Sequence, residues 1–290
     1  MPGKAFALAT DDQAIYFATY DTGVVGRVKR GGGKVEQLAI GQEGATDIVV
    51  ANSRVYWVTA GRVRTVAASG GTSRELPAQS VSPWLVASTD DLFYFASESL
   101  FRVPLGGSTP LRLGSPKHPA LLALGGRFIY FTSEAESGTT EIARVKPDGS
   151  SLTIVAKSQP PVQGLAADGE GVYWSAGERE VIGSDEPPPS TGAPAPMPTV
   201  AAPLTHGSLV FAPSNGGPTT VLARDRSEVG AAAVDGGFLY WTEGNALLRV
   251  EKGGGTVALV CSGNGFVSKP AFDAKHVYMQ LGSELVAAIK

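Results

Sequence analysis

Three histidines and one cysteine are the side chains of this sequence best suited to holding a metal or attacking an electrophile, and they are scattered. His118, His206 and His276 lie far apart, and none has a second histidine or a carboxylate at metal-ligand spacing. Each reads as a surface or turn histidine. Cys261 sits in the apolar run Ala258-Leu259-Val260-Cys261 and reads as an inert buried thiol. As the single cysteine it cannot form an internal disulfide. There is no Gly-x-Ser-x-Gly nucleophile elbow. Gly31-Gly32-Gly33 and Gly253-Gly254-Gly255 open no helix, so neither reads as a phosphate loop.

Two other sets carry more promise. Asp21, Glu98, Glu134, Glu178, Glu243 and Glu284 each stand shortly after an apolar run with a central tyrosine, and Arg62 takes that place after a further run. Gathered on one rim, such carboxylates would raise one another's pKa and attract a divalent cation or a basic partner. Dispersed, each would cap its own turn or pair with a neighbouring Arg or Lys. The second set, Asp47, Trp84, Lys117, His118, Gln163 and Lys269, precedes the tyrosine runs. Trp84 beside Pro83 would anchor a partner if exposed, because aromatic anchors dominate binding hot spots; the other expectation is that it packs between structural units.

Whether these sets meet depends on the elements that carry them. The tyrosine runs are Ile15-Tyr16-Phe17, Val55-Tyr56-Trp57, Phe93-Tyr94-Phe95, Ile129-Tyr130-Phe131, Val172-Tyr173-Trp174, Leu239-Tyr240-Trp241 and Val277-Tyr278-Met279. From tyrosine to tyrosine the steps are 40, 38, 36, 43, 67 and 38 residues. A shorter apolar stretch precedes each run across a turn-forming pair such as Asp11-Asp12, Asp168-Gly169 or Asp235-Gly236. A third apolar stretch, a glycine turn and a fourth stretch follow. Four short strands joined by hairpins and repeated about every 40 residues predict an all-β propeller of four-stranded blades. Seven copies are expected, with six blades plus a partial unit as the alternative. The last copy ends at Lys290 directly after its third strand, so its fourth strand is expected from the N-terminal stretch, outside this chain, or not at all. The 67-residue step holds an insertion of about residues 178–206, rich in proline and expected to be extended and exposed. Residues 1–290 read as one propeller domain.

Val55-Tyr56-Trp57-Val58-Thr59, Val172-Tyr173-Trp174-Ser175 and Leu239-Tyr240-Trp241-Thr242-Glu243, with Leu248-Arg249-Val250 and Gly253-Gly254 downstream, resemble the Tyr-Trp-Thr-Asp repeat family of β-propellers. Three copies keep the Tyr-Trp pair and none keeps the final Asp. The resemblance implies an extracellular or surface protein-binding module. Family members usually have six blades, so seven copies depart from the pattern.

Composition narrows the remaining classes. The 24 Lys and Arg against 27 Asp and Glu give a net charge of −3 with no basic block, which disfavours a nucleic-acid or anionic-membrane binder. No apolar run approaches the ~20 residues that span a bilayer. The start lacks a secretory signal pattern, which fits either a cytoplasmic chain or a mature exported one. The leading expectation is a non-enzymatic propeller, monomeric or part of a larger assembly, with no organic cofactor. It would recognise a protein, peptide or carbohydrate on its axial loop face, outside the cytoplasm by resemblance. The alternative is a propeller-type lyase or hydrolase with a metal in the central channel.

Overall fold

The computed structural model describes residues 5–107, 109–135, 139–177 and 207–290. Glu178, His206 and the proline-rich insertion lie outside the described residues, as do the four residues before Ala5. The rest is strand and turn, arranged in seven sheets around an axis.

Blade one is β1 (Ala5–Thr10), β2 (Ala14–Thr19), β3 (Val25–Lys29) and β4 (Glu36–Ala39); blade two is β5 (Ile48–Ala51), β6 (Arg54–Thr59), β7 (Arg62–Ala67) and β8 (Arg74–Gln79). Blade three is β9 (Val81–Ala87), β10 (Asp91–Ala96), β11 (Ser99–Pro104) and β12 (Leu111–Gly114); blade four is β13 (Leu122–Gly125), β14 (Phe128–Glu134), β15 (Thr140–Val145) and β16 (Thr153–Gln159). Blade five is β17 (Val162–Ala167), β18 (Gly171–Ala176), β19 (Gly207–Pro213) and β20 (Thr220–Arg226); blade six is β21 (Val229–Asp235), β22 (Phe238–Glu243), β23 (Ala246–Glu251) and β24 (Ala258–Ser262). Blade seven is β25 (Ala271–Phe272), β26 (His276–Leu281) and β27 (Glu284–Ile289). Every pairing is antiparallel between chain neighbours, as the hairpin pattern predicts. Seven blades are present; the first six have four strands each and, among the described residues, the seventh has three.

The tyrosine strands are buried along their length because a neighbouring blade covers each of their faces: β2, β10 and β18 contain no exposed residue. The apolar clusters therefore run between blades. Tyr16 packs with Trp57 of blade two, Tyr130 with Trp174 of blade five, and Tyr173 with Trp241 of blade six. Each fully buried side chain of this size contributes about 2–3 kcal/mol from water exclusion. Toward the axis the inner strands crowd one another. A Cβ on Gly164 would stand 2.4 Å from the Ala232 nitrogen, so only glycine lets blades five and six approach this closely.

The first hairpin of several blades is built on an aspartate. Asp11, Asp168 and Asp273 each accept the backbone N–H groups two and three residues on, and the tyrosine five residues on reaches back in two of them, Tyr16 at 2.7 Å and Tyr278 at 2.6 Å. Arginines of the third strands then latch one blade to the next. Arg27 donates to the Ala68 carbonyl, Arg102 to that of Pro147 at 3.4 Å, and Arg144 to that of Ser214. In each case the acceptor follows the third strand of the next blade. The ring closes without a disulfide: Thr10 donates to the Phe272 carbonyl at 2.5 Å, and Arg30 lies 3.3 Å from Asp273.

Candidate binding face and channel

Alternating strand directions sort the connections onto two faces. First-to-second and third-to-fourth turns share one face; second-to-third loops and the connections between blades share the other. The described members of both sets singled out from sequence fall on this second face, called the axial loop face below. Their local settings differ from the expectation of plain loops. Glu134 and Glu243 end second strands, Arg62 and Glu284 begin third strands, and Trp84 and Gln163 lie within first strands.

The inner strands enclose a channel of about 390 Å³ with largely aliphatic walls, including Leu8, Val49, Val86, Leu124 and Val234. Among the described residues lining it, Asp47 and Lys269 carry the ionisable groups. They stand just before β5 and β25, at the end of the channel that opens on the axial loop face. Asp47 accepts the Ile48 N–H at 2.9 Å and, across the blade boundary, the Leu85 N–H at 2.8 Å. It sits deep in the ring yet keeps some accessible surface, because the channel wall is its surroundings. Burial pushes its carboxyl up to about 6, while Lys269 and the two N–H donors pull the other way.

Where blades three and four meet, four of the expected residues come together. The His118 ring places Nδ1 at 2.5 Å from Glu134 Oε2 and Nε2 at 3.3 Å from Glu98 Oε1. Lys117 Nζ lies 3.9 Å from Glu134 Oε1. The imidazolium form can donate to both carboxylates, the neutral ring to one at a time. The hydrogen bond from His118 holds Glu134 below the usual carboxylate range, and the charges of His118 and Lys117 act in the same direction. The side chains of His118 and Glu98 are 59% and 63% exposed, so the cluster is a solvent-facing feature.

The other residues are placed separately. Glu243 is 14% exposed, is gripped by Arg226 of blade five at 2.9 and 3.0 Å, and accepts the Trp241 indole N–H at 2.9 Å. Arg62 pairs with Glu75 of its own blade at 2.9 Å, both partners being exposed. Asp21 accepts the Thr22 N–H at 2.9 Å. Glu284 and Gln163 are exposed, and Trp84 is half-buried against the cluster containing Phe95, Leu100 and Phe131. The described acids thus divide between a pair bridged by His118, a half-buried tie at Glu243 and separate positions. Among the described residues, no group of three or more His, Cys, Asp or Glu could hold a metal ion. Cys261 is half-buried with Sγ 2.9 Å from Met279 Sδ, and burial pushes its thiol up, away from reactivity.

Two features were missed in the sequence. One is the Arg226, Trp241 and Glu243 triad; the Trp-x-Glu spacing was visible, but its arginine comes from another blade. The other is the aspartate five residues before the tyrosine, at Asp11 and Asp273, whose turn-forming type is visible in sequence but whose bond to the tyrosine hydroxyl is not.

No protein-family model matches the chain and no curated protein matches its sequence. Solved structures do match. A hydrazine synthase structure from Kuenenia stuttgartiensis is similar over 100% of this chain and 96% of its own, at 12% identity and a TM-score of 0.76. A streptogramin B lyase structure is similar over 100% and 94%, at 12% identity and a TM-score of 0.71. A chain of a nidogen/laminin complex is similar over 95% and 88%, at 15% identity and a TM-score of 0.55. The fold is a seven-bladed β-propeller. At these identities the likeness is one of fold alone, and such different proteins share it that function has to be argued from the site. The Tyr-Trp-Thr-Asp likeness of the sequence remains a resemblance. No helix among the described residues is long and apolar enough to cross a membrane.

Proposed function

We propose that this chain is a non-enzymatic recognition propeller that binds a protein, peptide or carbohydrate on its axial loop face. The observation that carries the reading is the exposed sector formed by Glu98, Lys117, His118 and Glu134 where blades three and four meet. Solvated donors and acceptors of both signs in one place suit a polar partner, and half-buried Trp84 of blade three adds an apolar surface. Asp47 and Lys269 at the channel mouth extend the polar character toward the axis. The Tyr-Trp-Thr-Asp resemblance supports the same use and a location outside the cytoplasm.

The test is a screen of immobilised glycans and peptides with the wild-type chain and with the combined variant Glu98→Gln, Lys117→Ala, His118→Ala. Binders of the wild type should be lost by the variant while its melting temperature is unchanged. Binders that survive the variant, or a variant that melts earlier with its binding intact, would assign the sector a structural role and refute the reading.

A further inference from the structure

Unlike charges occupy one repeat position at the mouth of the channel. In every blade the tyrosine of the second strand has a pairing partner in the first, and the residue two before that partner lies near the start of the first strand. In blade two this residue is Asp47 and in blade seven it is Lys269; the other five blades hold an uncharged Ala, Pro, Leu or Gly there. Both charged residues line the channel. Blade one stands between blades seven and two, and its residue at the same position, Ala7, places only a methyl group there.

Asp47 is a fixed carboxylate with acceptor capacity to spare. Its Oδ1 takes the Ile48 N–H and its Oδ2 the Leu85 N–H, and its own carbonyl accepts the Val58 N–H at 3.2 Å, which pins the main chain beneath it. A carboxylate offers about four acceptor sites, so each oxygen keeps one. Lys269 is exposed and close enough to draw the Asp47 carboxyl downward, yet it forms no direct ion pair with it. The cavity of about 390 Å³ falls within the roughly 300–1,000 Å³ typical of small-molecule sites. Its walls beyond the charged pair are aliphatic, with Leu8, Val49 and Val86 among them. Two unlike charges held apart over an aliphatic cavity match a molecule that carries both charges and an alkyl group.

We propose that the channel binds an aliphatic amino acid of about leucine size as its zwitterion, with the ammonium group on Asp47, the carboxylate on Lys269 and the side chain against Leu8, Val49 and Val86. A ligand with one head group leaves the other protein charge without a counter-charge, so the pair selects amino acids over simple amines and acids. This small-molecule site goes beyond the recognition sector of Glu98, Lys117, His118 and Glu134 and uses none of those residues, so either reading can fail alone.

The test is calorimetric titration of the full chain with leucine, with 3-methylbutylamine, which lacks the carboxylate, and with 4-methylpentanoate, which lacks the ammonium group. Leucine should bind at millimolar concentration or below, and each single-headed compound about tenfold or more weakly. Lys269→Met, at an exposed position, should erase the advantage of leucine over 3-methylbutylamine without lowering the melting temperature. Asp47→Asn should erase its advantage over 4-methylpentanoate. The three compounds and Lys269→Met decide the matter even if Asp47→Asn fails to fold. Absence of leucine binding, or equal binding of all three compounds, overturns the proposal. So does a Lys269→Met chain that binds leucine as the wild type does; if that chain also melts earlier, Asp47 and Lys269 are a structural pair.

Discussion

The two faces of the ring use ionised side chains in opposite ways. On the hairpin face, Asp273 is 6% exposed and surrounded by donors, Lys252 bridges Asp168 and Glu170 at 2.9 and 2.5 Å, and Lys290 engages Asp235. These contacts cross blade boundaries, and the arginine latches lie beside them. On the axial loop face, the Glu98, His118 and Glu134 cluster and the Arg62 and Glu75 pair are largely solvated. A charge withdrawn from water must recover its hydration through several hydrogen bonds, so losing one partner is costly; an exposed pair recovers little and loses little. The half-buried Glu243 triad and Asp47 at the channel mouth are the exceptions on the open face.

The sharpest way to break this contrast is Asp273→Ala. It strands two backbone N–H groups and takes the nearer partner from the Tyr278 hydroxyl and Arg30, and should cost about 2–4 kcal/mol in urea unfolding. Burial alone would raise this carboxyl, but the donors outweigh it and hold it well below the usual range. Its ionised form is therefore the one the fold stabilises. That contribution is complete above the ordinary aspartate value near 4 and is lost as pH falls through the depressed one, so wild type and variant should converge in acid.

Glu243→Gln should come next, at about 1–2 kcal/mol, because Arg226 loses its charge partner while the Trp241 N–H keeps an acceptor. If thermal unfolding showed no change, this exception on the open face would disappear. Asp47→Asn should act through pH. With a folded value of about 6 against an ordinary 3.8, the carboxyl favours the fold most below the ordinary value and loses that contribution as pH rises through 6. Wild type should therefore lose stability relative to the variant across that interval, and a constant difference would mean that Asp47 is better solvated than its position in the channel indicates. The smallest effect belongs to His118→Ala, which should leave the urea midpoint unmoved while weakening binding on the axial loop face. A loss comparable to that of Asp273→Ala would erase the distinction between the faces.

The architecture was legible because its signals are local. Tyrosine runs, turn pairs and glycine turns each lie within one unit, and seven repetitions make them unmistakable. The face shared by the two residue sets followed from topology. Partners such as Arg226 for Glu243 and Glu98 for His118 did not follow, since they depend on contacts between residues of different blades. Glu243 and Glu134 look alike in sequence, yet Arg226 lies at the end of β20 and buries one, whereas His118 sits in an open connection and leaves the other in water. Trp84 showed the same limit, because its exposure is set by Phe95 of its own blade together with Phe131 across the blade boundary.

The closure of the ring bears on how the chain folds. Each blade is a set of adjacent hairpins that can form from nearby sequence, whereas the Thr10 to Phe272 hydrogen bond joins residues 262 positions apart. Bringing the ends together carries the loop-closure entropy of nearly the whole chain, and with no covalent link the seam is rewarded only once the blades between are in place. Blade assembly should therefore precede closure. Tyr278, packed at the seam with Ile15 and Val28, would be among the last aromatic side chains to leave water.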